Sequence, residues 1–340
     1  MAAGRGAHPH RRAACSGLTD NGAFPARLRE GVRVSKRNNF YIDVNWAPAG
    51  VTEQFTQDAS TYHERYFNRL DFVDLMDRCF RLARIERTAA LAVLDIGSGG
   101  GSSVFASAKL LPNATLVASD ISPQLLDFLA DFVATDEALA AAITTCCFDL
   151  HVPFFAAGQF DVVVGSAILH HLLDPYAALK NVVYALKPGG KLILIEPLEA
   201  GSLLQMSLFE QVLKALRKLG QSEGALVTLM RAMRTDIRAR LGAPVQQAWT
   251  GVLDDKWVFD EPYLMDLADQ LELSRVEVYP AQADLTNVYE SAFRGLIVES
   301  GNAGVEVPDA VLAVVREFDR GISEELKARF APTGILIFTK

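Results

Sequence analysis

Four glycines fall within five positions of the chain, directly after a short apolar run: Gly97, Gly99, Gly100 and Gly101. An apolar run that ends at glycine is typical of a buried strand in a parallel sheet, and the apolar spacing over 103–111 predicts a helix after the loop. Gly97 and Gly99 permit positive φ and leave no Cβ in the way of a ligand. Because the first N–H groups of a helix have no partner inside it, the loop favours a polar or anionic ligand.

Two acidic residues follow the next two apolar runs. Asp120 comes directly after 115–119, and Asp149 comes directly after 143–148. Ligands bind open α/β sheets outside the carboxyl ends of the strands, which is where both carboxylates are predicted to lie. Either residue could instead serve only as a helix cap. The shared location favours ligand binding, since one carboxylate can accept several hydrogen bonds at once.

A pair of histidines follows the fourth apolar run, 160–165. The pKa of histidine lies near neutrality, so His170 and His171 suit proton transfer. In a helical segment the two side chains point about 100° apart, and only one of them can face a given pocket. We favour His171 as the catalytic residue because it lies further past the strand, with His170 as the alternative. Tyr62 and His63 are a second pair of candidates, and a structural role for the histidine pair stays open.

No metal site is predicted from these residues. His170, His171 and Asp174 lie close in sequence, but no further ligand is visible. The cysteines have neither zinc-ligand nor disulfide-framework spacing. They are Cys15, Cys79, Cys146 and Cys147. We expect reduced, buried thiols and a cytoplasmic protein.

Alternating strands and helices must position all of these groups. The apolar runs predict strands at 91–96, 115–119, 143–148, 160–165, 191–195, 275–279 and 334–338. A helical stripe within 52–85 would cover the sheet. This rhythm predicts a parallel, doubly wound sheet.

Counted from Gly97, the loop has glycine at its first, third and fifth places, and with Asp95 just before it the loop resembles the first motif of the class I S-adenosylmethionine-dependent methyltransferases. Phe160–Val164 and Leu186–Leu192 resemble that family's fourth-strand and pre-fifth-strand segments. The resemblance is close over 88–198 and loose over 257–280, and it points to the small-molecule, ubiquinone-biosynthesis-like branch. It implies a Rossmann-like, seven-stranded, mostly parallel sheet with an antiparallel last strand and helical cap insertions.

The resemblance implies S-adenosylmethionine as cofactor and S-adenosylhomocysteine as product. Asp120 matches the acid that holds both ribose hydroxyls, and Asp149 the position that meets the adenine amino group, with Leu150 or Phe148 beside the ring. The residues that match cofactor positions are Asp95, Gly97, Ser98, Gly99, Gly101, Asp120, Ile121, Asp149, Leu150 and Ser166.

The predicted reaction is a direct displacement at a methyl carbon. Alignment of donor and acceptor can lower such a barrier by about 7–11 kcal/mol. A hydroxyl acceptor also needs a base, which typically adds about 10²–10⁴-fold. The fourth strand ends in Gly165-Ser166-Ala167 and lacks the Asp/Asn-Pro-Pro-Tyr segment of nucleic-acid and protein amide methyltransferases. With the net charge of −8, this favours a small-molecule acceptor and no nucleic-acid partner. A hydroxyl oxygen is favoured over carbon or nitrogen.

The chain is predicted to have four parts. Residues 1–37 form a basic, disordered arm, and 38–198 hold lid helices and the cofactor-binding core. Residues 199–256 form a helical cap. Residues 257–340 complete the sheet and carry a helical insertion at 283–333 that shapes the acceptor pocket with the cap.

Arg231, Arg234 and Arg238 share one face of a predicted cap helix. They would meet an anionic acceptor or lipid surface, or they form only a solvated face. No apolar run is long enough for stable membrane insertion. The sequence leaves a homodimer open.

Two rival functions belong to other classes. An NAD-dependent oxidoreductase needs glycine at the sixth place of the loop, where Ser102 stands, and no Tyr-x-x-x-Lys pair is found. A non-catalytic methyltransferase-like binding protein would be expected to lose the cofactor residues, yet Asp120 and Asp149 are present.

Overall fold

The structure is a computed structural model that describes residues 24–47, 59–60, 63, 71–242, 255–300 and 302–340. The strands are β1 (Val34–Arg37), β2 (Phe40–Asp43), β3 (Ala92–Ile96), β4 (Thr115–Asp120), β5 (Ile143–Cys147), β6 (Phe160–Ser166), β7 (Leu186–Pro197), β8 (Arg275–Pro280) and β9 (Thr333–Thr339). The helices are α1 (Asp71–Leu82), α2 (Ser102–Leu110), α3 (Pro123–Ala134), α4 (Glu137–Ala142), α5 (Pro175–Ala185), α6 (Glu199–Lys218), α7 (Ala225–Arg240), α8 (Glu261–Gln270), α9 (Val288–Glu299), α10 (Asp309–Arg320) and α11 (Glu324–Arg329).

The strands of the described part form one sheet in the order β1-β2-β5-β4-β3-β6-β7-β9-β8. Strands β2, β5, β4, β3, β6 and β7 run parallel to their neighbours in that order. The last strand, β9, lies antiparallel between β7 and β8. These features confirm the predicted Rossmann-like fold with an antiparallel last strand. Helices cover both faces, as apolar runs buried on both sides require.

The predicted number of seven strands is too low, because β1 and β2 add a hairpin at one edge. A two-residue turn closes the hairpin, and Asn38 takes a left-handed φ of 50°, which asparagine tolerates well. The turn is anchored to α3. Asn38 donates to Asp127 Oδ1 (2.9 Å), and Asn39 donates to Asp131 Oδ1 (3.0 Å).

The prediction of a disordered arm is wrong for residues 24–37. Phe24 is only 6% exposed and packs edge-on against Tyr41 at a centroid distance of 5.1 Å. Arg29 N donates to Phe154 O (2.8 Å), and Val34 is fully buried in β1. The segment is ordered because its few apolar side chains find partners contributed by distant parts of the sequence. Residues 1–23 lie outside the described residues.

Helices α6, α7, α9 and α10 pack into a third apolar cluster, separate from the two that flank the sheet. The cap and the later insertion, which the sequence places in different parts of the chain, therefore form one body. Phe209 of α6, Met230 of α7 and Tyr289 of α9 are buried at its centre. In the described part of the chain, no helix combines the length and apolar character that crossing a membrane requires.

Candidate active site

The site lies where the chain reverses its direction of winding across the sheet. Strand β3 is flanked by β4 and β6, and in the register of these pairs Ile96 lies opposite both Ser119 and Gly165. The loops after the three strands therefore meet at one edge. Such a switch point is where open α/β sheets form a ligand crevice.

The glycine loop after β3 has a left-handed backbone, which glycine adopts readily. Gly97 and Gly99 have φ of +66° and +52°, and a Cβ on Gly97 would lie 2.8 Å from Ile168. Asp95 braces the loop from behind, since its Oδ1 accepts from the Ser98 hydroxyl (2.8 Å). Burial raises the pKa of Asp95 to about 7, while the hydroxyls of Ser103 and Ser98 oppose the shift.

A narrow cavity of about 700 Å³, including the part open to solvent, lies between this loop and the ends of β4 and β5. Asp120 lies in its wall. Its Oδ2 accepts from Gly99 N (2.9 Å), and its Oδ1 accepts from Ser122 N (2.8 Å). Burial raises the pKa of this carboxyl, and the backbone N–H groups of Ser122, Gly99 and Ile121 oppose the rise. A carboxylate has about four acceptor sites, so Asp120 can still accept from a ligand donor.

The far end of the narrow cavity has apolar walls and a second acid. Phe148, Leu150 and Ile121 line it beside Asp149. Oδ1 of Asp149 accepts from the backbone N of His151 (2.9 Å) and contacts its Nδ1 (2.8 Å). That hydrogen bond raises the pKa of His151 against the effect of partial burial. Sequence reasoning missed His151, although its place two residues after an acid was a readable signal.

A second, wider cavity of about 2450 Å³, including its open part, lies on the other side of the glycine loop. Ser98 and Ser166 line it on the core side, while Phe209, Met233 and Leu296 line it on the cap side. The two cavities share four wall residues, namely Gly97, Gly99, Ala167 and His171. They therefore meet at the glycine loop and the turn that carries the histidines.

Glu196, at the end of β7 and fully buried, holds this turn. Its Oε1 accepts from Ile168 N (3.1 Å) and Leu169 N (2.7 Å), and its Oε2 from His170 N (3.2 Å). Ala167, just before the turn, has a left-handed φ of 53°. A non-glycine residue in this conformation is under strain, which the contacts of Glu196 help to maintain.

His170 lies between two carboxylates. Its Nδ1 is 2.6 Å from Oε2 of Glu196, and its Nε2 is 3.5 Å from Oδ1 of Asp255. Burial lowers the pKa of His170, but Glu196 and Asp255 outweigh it and raise the pKa to about 9. The ring is therefore an imidazolium at neutral pH, with both nitrogens engaged.

His171 faces the junction of the cavities. Its Nδ1 lies 3.8 Å from the same Oδ1 of Asp255, whose other oxygen pairs with Arg240 (3.3 Å). Glu196, Asp255 and Arg240 were all missed from the sequence. No local motif marks Asp255 or Arg240, because only folding of the cap brings them to the histidines.

Three potential ligand atoms converge here, since Nε2 of His170, Nδ1 of His171 and Oδ1 of Asp255 lie within 4.8 Å of one another. The sequence predicted no metal because it showed no such third group. The imidazolium of His170 already pairs with the carboxylate of Glu196, and the guanidinium of Arg240 with that of Asp255. The metal-free site stays a prediction.

The other candidate residues occupy different places. Tyr62 lies outside the described residues. His63 stacks on Phe128 at a centroid distance of 4.5 Å and is not among the residues that line the two cavities. Gly101 lies directly before α2, where a side chain would not fit, because a Cβ there would lie 2.5 Å from Phe105. The three cap arginines also lie elsewhere. Arg231 and Arg238 are exposed, and Arg234 pairs with Glu210.

A doubly wound sheet, a glycine loop at its switch point and acids at the ends of the next two strands are the arrangement of class I methyltransferases. Residues 94–192 match the model of a methyltransferase domain. This match confirms the class predicted from the sequence, an enzyme domain that uses S-adenosylmethionine.

Two curated relatives are similar in sequence to part of this chain. Ubiquinone biosynthesis O-methyltransferase of Coxiella burnetii is 34% identical over 115 residues, 33% of this chain and 47% of the relative. Aklanonic acid methyltransferase DauC of Streptomyces sp. (strain C5) is 33% identical over 149 residues, 43% of this chain and 64% of the relative. The chain thus spans about half the length of the first and less than two thirds of the second.

A solved complex between the Haloferax volcanii Trm112 methyltransferase activator and a methyltransferase has the same fold. Its TM-score is 0.50 at 13% identity, with 85% of this chain and 96% of that chain covered. At this identity the likeness concerns the fold alone.

Proposed function

We propose that this chain transfers a methyl group from S-adenosylmethionine to a hydroxyl oxygen of a small molecule held in the wide cavity. The observation that carries the proposal is the junction of the two cavities at Gly97, Gly99 and His171. A cofactor in the narrow cavity and an acceptor in the wide cavity would meet at this shared wall.

The narrow cavity suits an adenosine group. Asp120 offers carboxylate lone pairs to a pair of vicinal hydroxyls, and the apolar side chains of Phe148, Ile121 and Leu150 suit the faces of a flat ring. Asp149, beside that ring, accepts from an amino group. Glycine at positions 97 and 99 lets the main chain lie close to the ligand.

S-adenosylmethionine, when bound there, would supply an electrophilic methyl group on a sulfonium. The chain aligns the acceptor oxygen with that carbon and removes the hydroxyl proton. We assign proton removal to His171, because its ring lines both cavities while both nitrogens of His170 face carboxylates. Such a base contributes about 10²–10⁴-fold.

The wide cavity favours a neutral, largely apolar acceptor. Phe72, Leu75, Phe209 and Ile237 provide apolar walls, and the charged groups of the histidine turn are paired with one another. The guanidinium of Arg78, which also lines the cavity, donates to Pro280 O (3.3 and 3.2 Å). This argues against the anionic acceptor suggested by the arginine-rich helix, whose exposed arginines lie outside the cavity lining. The names of the two relatives, which refer to ubiquinone biosynthesis and aklanonic acid, support aromatic hydroxyl compounds as the first acceptors to test.

The first experiment is calorimetric titration of the full chain with S-adenosylmethionine and S-adenosylhomocysteine, with NADH as the control ligand. Micromolar binding that is strongly weakened in Asp120→Ala is expected. The matched control is Asp127→Ala, which removes a carboxylate from α3 that pairs with Asn38. Absence of binding, or preference for NADH, would remove the proposal. Turnover is then sought with phenols and hydroxyquinones by detecting S-adenosylhomocysteine.

A further inference from the structure

One carboxylate serves both histidines of the turn. Oδ1 of Asp255 lies 3.5 Å from Nε2 of His170 and 3.8 Å from Nδ1 of His171. The Asp255 side chain is 14% exposed, and it forms part of the wall of the wide cavity. Asp255 lies near the end of the cap, far from the histidines in sequence, so it reaches the turn only through the tertiary fold.

The main chain beside Asp255 is tied to the histidine turn. Lys256 N (2.8 Å) and Trp257 N (3.2 Å) both donate to His170 O. The indole of Trp257 donates from Nε1 to Leu172 O (2.8 Å). These bonds lie on both sides of His171 along the turn, and they fix the distance between the carboxylate and the imidazole.

Arg240 fixes the orientation of the carboxylate. Its Nη1 lies 3.3 Å from Oδ2 of Asp255 and also donates to Trp257 O (3.1 Å). Arg240 is only 4% exposed, and its other contact is an ion pair with Asp236. With Oδ2 turned to the guanidinium, Oδ1 faces the two histidines.

The charged side chains around the histidine turn pair with one another, and Asp236 adds a third carboxylate through its ion pair with Arg240. The carboxylates of Glu196 and Asp255 face the imidazolium of His170 and the guanidinium of Arg240. Burial opposes ionisation of Asp255, yet His170 and Arg240 hold its pKa below the ordinary value. Asp255 is therefore ionised across the range in which the enzyme would work.

We propose that Asp255 is the positioning residue for His171, keeping the ring proton on Nδ1 so that Nε2 presents its lone pair to the acceptor hydroxyl. A neutral imidazole carries one proton, and the group that faces one nitrogen decides which nitrogen is the base. The distance of 3.8 Å between Nδ1 of His171 and Oδ1 of Asp255 exceeds a hydrogen bond, and catalytic hydrogen bonds are often this long before substrate binds.

The inference rests on the proposed methyl transfer and completes its proton balance. The hydroxyl proton moves to Nε2 of His171, and an oxygen lone pair forms the new carbon–oxygen bond. The electron pair of the broken carbon–sulfur bond stays on sulfur. His171 becomes an imidazolium, which the charge of Asp255 stabilises. His170, with both nitrogens engaged, keeps its protons throughout.

The test reads the tautomer directly, without an acceptor. Long-range ¹H–¹⁵N spectra of the full chain labelled with ¹⁵N-histidine distinguish Nδ1–H, Nε2–H and imidazolium rings, and the spectrum of His171→Gln assigns the His171 signals. We expect the Nδ1–H form in the native protein and a shift to mainly Nε2–H in Asp255→Asn. Asp236→Asn is the matched control, because Asp236 pairs with the same arginine and should leave the His171 tautomer unchanged.

An Nε2–H ring in the native protein would overturn the inference by itself, whether or not the Asp255 variant folds. An unchanged tautomer in a folded Asp255→Asn protein would do the same. Affinity for S-adenosylhomocysteine, measured on the same samples, separates this result from the proposed function. If the native protein does not bind S-adenosylhomocysteine, methyl transfer is refuted. If it binds S-adenosylhomocysteine but His171 carries its proton on Nε2, only the role of Asp255 is refuted.

Discussion

The imidazolium of His170 should make the stability of the protein depend on pH in a defined direction. His170 lies between Glu196 and Asp255, which raise its pKa from 6.5 to about 9. The folded-state pKa thus exceeds that of the unfolded chain. The resulting stabilisation is complete below about pH 6.5 and is lost as the pH rises through about 9.

The size of this effect follows from the pKa of His170. A rise from 6.5 to about 9 corresponds to about 3 kcal/mol of free energy of unfolding. His170→Asn removes the titration and keeps an amide donor near the position of Nδ1, so that Glu196 retains a partner. The variant should be less stable than the native protein at pH 6, and the difference should shrink by about 3 kcal/mol towards pH 10.

Urea unfolding of the two proteins across this pH range measures the difference. Other groups that titrate there, including His151, are common to both proteins and cancel. His151→Asn is the matched control, because the His151 side chain is 21% exposed and contacts a carboxylate only through Nδ1, so its pH effect should be smaller. A stability difference between His170→Asn and the native protein that does not change with pH would refute the assignment of a charged His170.

Further predictions concern catalysis, packing and metal dependence. His171→Gln should lower kcat by about 10²–10⁴-fold for weakly acidic phenols and much less for acceptors that are already ionised, in steady-state assays; equal losses for both would exclude a base role. Gly201→Ala should lower the free energy of unfolding by about 1–3 kcal/mol or more, because the new Cβ would lie 2.2 Å from Ala331 O; unchanged urea unfolding would contradict this packing. Treatment with a chelator should leave turnover unchanged, and recovery by added zinc would contradict the metal-free site. Replacing Arg231 and Arg238 with Gln should leave the acceptor KM unchanged. A large rise in KM would show that this helix contributes to acceptor binding.

The core of the fold was readable because its signals are local. The apolar runs at 92–96, 115–120 and 160–166 are buried strands with register fixed by neighbours of the same kind. The hairpin of β1 and β2 was not readable as part of the sheet. Its strands have four residues each and carry polar side chains, so their place depends on pairing of β2 with β5 and on contacts of the turn with α3.

The residues on the cofactor side of the site were also predictable from local sequence signals. The loop with Gly97 and Gly99 follows β3, Asp120 ends β4 and Asp149 lies two residues after β5, so strand order alone brings them together. The structure adds their partners. Asp120 binds the glycine loop through Gly99 N, a contact that depends on the parallel pairing of β3 and β4.

The sequence by itself determined the sheet, the glycine loop and the acids that follow the strands, because strand periodicity and backbone freedom at glycine are properties of neighbouring residues. It predicted two histidines beyond the carboxyl end of the fourth strand, but it did not show which of them is the catalytic base. Only the tertiary structure decided that, by setting His170 between Glu196 and Asp255 and turning His171 to the junction of the cavities. The pKa and the tautomer of an imidazole depend on the charges that surround it in space, and most of those charges come from distant parts of the chain.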